Sequence, residues 1–176
     1  MGFDLGSLIS QFTGGAAPNA SDQFHQIAQN VPPDLLSQGL SAMFHSDQTP
    51  PFGQMASQLF SNANPDQKAG MLNQLLTSMG PTVLASLAAG AGGGALSGVL
   101  GQLTQSSGAP ATVTPELATA VTPEQVQQLA THAAQTNPGI IDKMSGFYTA
   151  HPDLVKTLGS AALAIAMAKI AQSHKA

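Results

Sequence analysis

Five times along this chain a proline is followed at once by an acid: Pro33-Asp34, Pro65-Asp66, Pro115-Glu116, Pro123-Glu124 and Pro152-Asp153. Each step is a helix start. Proline suits the first helical position because the N–H it lacks has no partner there. An acid in the first turn meets the positive end of the helix dipole. Asn64, Thr114 and Thr122 stand just before three of these prolines and offer a cap oxygen, and Thr122 with Gln125 has capping-box spacing. Apolar residues after the starts keep helical period. Leu35, Leu36, Leu40, Met43 and Phe44 share a face; so do Phe52, Met55, Leu59 and Phe60; so do Met71, Leu72, Leu75, Leu76 and Met79; and so do Ile140, Ile141, Met144, Phe147 and Tyr148. The spacing predicts an all-α fold.

The last helix is expected to run unbroken from Asp153 to about Gln172. Leu154, Leu158 and Ile165 then fall on one side, and Leu163, Met167 and Ile170 on the other. A helix apolar on two sides needs neighbours on both, so Leu163, Met167 and Ile170 are expected at an interface. The apolar stretch between Lys156 and Lys169 is too short for the ~20 residues that cross a bilayer.

Two stretches can be laid over each other. Val31 to Asp34 matches Val121 to Glu124 at an offset of 90 positions, and Gln38 matches Gln128. At an offset of 87, Pro51 matches Pro138, and Phe60 to Asp66 matches Phe147 to Asp153. This ordered series predicts an internal duplication of a three-helix unit. The expected organisation is an N-terminal amphipathic segment (1–20), a first unit (21–89), a Gly/Ser/Ala-rich linker (90–113) and a second unit (114–176). A break is expected at Gly80-Pro81, with a short helix over Thr82 to Ala89. Gly90, Gly94 and Gly98 allow a second reading of the middle: on a helix they form a flat stripe for close backbone approach. Consecutive glycines favour the linker, since each costs about 1 kcal/mol in a helix.

Composition removes several function classes. The chain has five lysines, nine acids, no arginine and no cysteine, for a net charge of −4. No thiolate site, disulfide or Cys nucleophile is available. Nor is there a basic footprint for nucleic acid or an Arg fork for phosphate. The glycine stretch lacks the Lys and Ser/Thr of a phosphate loop. No cofactor is called for. The N-terminus lacks the basic region of a secretory leader, which predicts the cytoplasm. The segment around Phe3, Leu8, Ile9 and Phe12 carries only Asp4, so docking on protein is expected rather than on a membrane surface.

Chemistry candidates are few. His45 and Asp47 lie near a helix end and, with His132 and His151, are the metal-ligand candidates; a metal or haem site needs at least two of His25, His45, His132 and His151 to converge. His45 also reads simply as a helix C-terminal histidine favoured by the dipole. His151-Pro152-Asp153 spells the tripeptide of J-domain co-chaperones, but only Lys143 precedes it on its helix, where those domains carry a strongly basic one. Asn64-Pro65-Asp66 uses nearly the same letters as a helix start, so His151 reads as a cap. Tyr148, His151 and Asp153 around that turn offer a small proton-transfer cluster, with no nucleophile or oxyanion hole beside it.

The run Ser46 to Met55, and again Ser145 to Tyr148 with His151-Pro152 and Leu154 to Gly159, resembles a family of bacterial helical proteins. The Met-Gly start, the Gln/Leu-rich helices and the Gly-rich middle are similar to the YidB-like family. The resemblance implies a bacterial source and an all-helical fold, and carries no catalytic or binding residue.

Three functions compete. The first is protein–protein association without catalysis, chiefly with itself, because few charges leave little repulsion between copies. The second is a small-molecule or lipid-binding bundle, for which Met43, Met55, Met71, Met79, Met144 and Met167 give adaptable apolar faces. The third is the histidine metal or haem site.

Overall fold

The computed structural model describes residues 20–90, 97–99, 101 and 112–174. All regular structure among them is helical. The helices are α1 (Ala20–Asn30), α2 (Pro33–Phe44), α3 (Phe52–Asn62), α4 (Pro65–Gly90), α5 (Pro115–Ala120), α6 (Pro123–Thr136), α7 (Ile140–Ala150), α8 (Pro152–Val155) and α9 (Ser160–His174). Five of them begin on the Pro-acid steps. The Thr122–Gln125 capping box closes both ways: Gln125 N–H donates to Thr122 Oγ1 at 3.3 Å, and Thr122 N–H to Gln125 Oε1 at 3.0 Å. Asn64 and Gln67 make the same reciprocal pair at 2.9 and 3.1 Å.

Two compact units form, and each draws helices from both sequence segments. Among the described residues, unit one holds 20–51 and 141–174, the two ends of the chain. Unit two holds what lies between, from Phe52 to Ile140. Contiguity along the chain therefore does not define the units.

In unit one, α2 lies along α9, and α1 packs on α8 and α9. Phe24, Ile27, Leu36, Leu40, Met43, Tyr148, Leu154, Leu163, Met167 and Ile170 fill its core. The Phe44 and Tyr148 rings meet at 5.6 Å. In unit two, α3 lies along α6, and α5 and α6 pack on α4. Phe60, Met71, Leu72, Leu75, Val126 and Leu129 are among its buried residues. Asn73 pins the start of α5: Val113 N–H donates to its Oδ1 at 2.7 Å, and its Nδ2 donates to Val113 O at 3.3 Å.

Several expectations are corrected. The C-terminal helix is broken. Thr157 donates its hydroxyl to Leu154 O at 2.6 Å, and tight turns carry the chain through Leu158 to Gly159 before α9 starts. Gly159 weakens a helix there, and the break tucks Leu158 into the core. Leu163, Met167 and Ile170 are 1%, 3% and 1% exposed, inside their own unit, so they present no free interface. Helix α1 was not expected, although Ala20, Phe24, Ile27 and Val31, all buried, have helical spacing. The Gly80 break is present: Gly80 has φ 76° and ψ 164°, with helix on either side. The linker expected over 90–113 is not irregular throughout. Residues 97–99 and 101 are helical, with Val99 buried. Gly90 ends α4, Gly98 has no described atom within 4 Å of where a Cβ would stand, and Gly94 lies outside the described residues, as does the 1–19 segment.

Candidate functional site

Two solvent-open polar grooves lie on the outer faces of α2 and α6. Asp34, Ser37, Gln38, Ser41, Ala42 and Asp142 line the first. Glu124, Gln127, Gln128, Thr131, His132 and Gln135 line the second. Five of the six positions in each groove correspond at the offset of 90 that aligns the two sequence segments. The inner faces correspond too. Leu36, Gly39, Leu40 and Met43 of α2 are buried, and so are Val126, Leu129, Ala130 and Ala133 of α6 at the same offset. At an offset of 87, Met71, Leu75, Leu76 and Met79 are buried alongside Leu158, Ala162, Leu163 and Ala166. The match slips between α3 and α7. Phe60 is fully buried, but its counterpart Phe147 is half-buried and Tyr148 takes the inner place.

Two close helix contacts sit at glycines the sequence did not single out. A Cβ on Gly39 of α2 would strike Ile170 Cγ1 and stand 3.0 Å from Ala166 O on α9. A Cβ on Gly53 of α3 would strike Thr131 Oγ1 and stand 2.8 Å from Gln127 O on α6. Small-residue packing thus occurs at α2–α9 and α3–α6. The readable signal was an isolated glycine on an otherwise apolar helix face.

Among the described residues the metal candidates build no metal site. His45, Asp47 and His132 are exposed, and among the described residues no three His, Asp or Glu side chains gather as a metal site requires. His151 stands at the N-cap of α8 without a side-chain cap hydrogen bond; its ring instead packs 4.6 Å from Phe147. The cap position expected of it is therefore occupied, through its backbone carbonyl, which accepts from Leu154 N–H at 3.0 Å, and not through its side chain.

The expected proton-transfer cluster is also absent as a cluster. Tyr148 is fully buried, and its hydroxyl has no described hydrogen-bond partner. Burial pushes that hydroxyl well above the ordinary phenol range, so it stays protonated. Asp153 is exposed and pairs with Lys156, whose Nζ donates to Oδ1 at 2.9 Å. That hydrogen bond and charge hold the Asp153 carboxyl below its usual range. His25 Nδ1 lies 4.0 Å from the same oxygen, linking α1 to α8.

Neither groove is the enclosed apolar cavity that a lipid-binding bundle needs. No described helix is long and apolar enough to cross a membrane. A scan of protein-family models and searches of curated proteins and of solved structures each found no match.

Proposed function

We propose that this chain is a non-enzymatic helical protein, cytoplasmic, and bacterial as its sequence resemblance implies, that works by protein–protein association, chiefly with copies of itself. It is built from two duplicated segments, 21–89 and 114–176. One observation carries the reading: each compact unit is completed by helices from both segments. Helices of one segment therefore bear surfaces shaped to pair with helices of its counterpart. A second copy of the chain carries those same surfaces. The matched burial of α2 with α6 and the twin polar grooves support descent from one unit.

The low charge removes much of the repulsion that would keep copies apart. Light scattering over a concentration series tests the proposal. The expected result is a mass that rises above the 17.8 kDa of one chain. A constant monomer mass up to the millimolar range overturns it.

A further inference from the structure

Resting on that reading, we infer how two copies join: the N-terminal arm, residues 20–51, leaves its own chain and docks on the C-terminal segment of a second copy. Unit one is closed by the two ends of the chain, whereas unit two is continuous from Phe52 to Ile140. The helix pairings described for the arm are with the chain beyond residue 140. Helix α2 packs on α9 where Gly39 meets Ile170, and α1 packs on α8 and α9. The Ser41 hydroxyl donates to the Asp142 carboxylate. The Phe44 ring packs tilted against Tyr148, and His25 faces Asp153. A second chain offers every one of these partners in the same geometry, so exchange conserves the contacts.

The connector also suits opening. It leaves α2 through a turn in which Thr49 Oγ1 donates to Met43 O at 2.7 Å and to Ser46 O at 2.9 Å, and ends in Pro50-Pro51. Two successive prolines donate no backbone hydrogen bond and favour extended chain. Swinging the arm at that point therefore sacrifices no donated bond of either residue. What opposes exchange is the lost freedom of a second molecule, set against an intramolecular arm whose effective concentration is of millimolar order. Exchange therefore emerges at high concentration or when unfolded chains refold together, and it closes as a dimer when two arms are traded reciprocally.

Cysteine pairing provides the test, because the chain has no cysteine of its own. Ser41→Cys and Asp142→Cys chains, carrying tags of different length, are refolded together at high concentration and oxidised. The expected product is the mixed disulfide, in excess over either same-variant disulfide. The Ser41→Cys/Asp142→Cys double variant should close within one chain when refolded dilute and between chains when refolded concentrated. Wild-type chain under the same conditions should show a doubled mass by light scattering. A doubled mass with no excess of mixed disulfide, and with the double variant closing only within a chain, overturns arm exchange while self-association stands. Monomer mass at every concentration overturns both.

Discussion

Gly39 and Gly53 each occupy a helix interior, where alanine ordinarily gains 0.5–1 kcal/mol over glycine at about room temperature. Here the added methyl meets a neighbouring helix. At Gly53 one obstacle is Gln127 O, a main-chain atom that cannot rotate away, and Thr131 Oγ1 is tied to that same carbonyl at 2.7 Å. Gly39→Ala and Gly53→Ala are expected to destabilise by about 1–3 kcal/mol, with Gly53→Ala the worse, as read from urea unfolding midpoints. A gain in stability would show that the helices separate freely at these points. Tyr148→Phe runs the other way. It deletes a buried hydroxyl that no described group satisfies, so stability should be unchanged or rise by up to about 1 kcal/mol. A loss above about 2 kcal/mol would reveal a polar partner for that hydroxyl. At Asp153 the carboxyl titrates below its usual range because Lys156 favours the ionised form. Its contribution is present above the unfolded carboxylate range and is lost as pH falls through the lowered folded value. Lys156→Gln should raise the Asp153 midpoint in an NMR titration.

Helix starts were the most legible feature of the chain. A proline that needs no donor, an acid against the dipole and a nearby cap oxygen act within four residues, so no distant contact is required to read them. Thr122→Ala removes one side of the α6 capping box and is expected to cost about 1 kcal/mol, measured by thermal or urea unfolding. Gly80 holds φ 76°, a backbone conformation that strains any residue with a Cβ, and no described atom lies within 4 Å of where that Cβ would stand. Gly80→Ala should therefore cost about 1–2 kcal/mol through strain alone, with the same readout. Helix α1 has no proline-acid start, so its pattern of Ala20, Phe24, Ile27 and Val31 carried no start signal to mark it. The continuity expected of the C-terminal helix failed at Thr157–Gly159, where local turn bonds and the burial of Leu158 outweigh helix propensity.

Across the molecule, five lysines and nine acids leave electrostatics a small share of the stability. The His25 and Lys156 ion pairs are exposed or half-exposed and gather on Asp153. Raising salt across the physiological range should shift the unfolding free energy by less than about 1 kcal/mol. A larger change would expose an electrostatic term that the burial pattern does not contain. The candidate site was far less legible than the elements. Leu163, Met167 and Ile170 read as a free flank because a helix pattern reports that a face is apolar, not which helix covers it. Gly39 and Gly53 went unremarked for the same reason: a close crossing belongs to two helices, and the chain names only one of them at a time.

Period, caps and proline placement are properties of neighbouring residues, and they were enough to establish helices, most of their starts and the faces they bury. The assembly of those helices was not written locally. That residues 52–140 close one unit, that the two chain ends close the other, and that Leu163 is buried inside it all depend on how apolar faces far apart in sequence fit together. Burial free energy depends on the area covered and is indifferent to the order in which the chain supplies it; only packing in three dimensions could choose between partners of equal hydrophobicity.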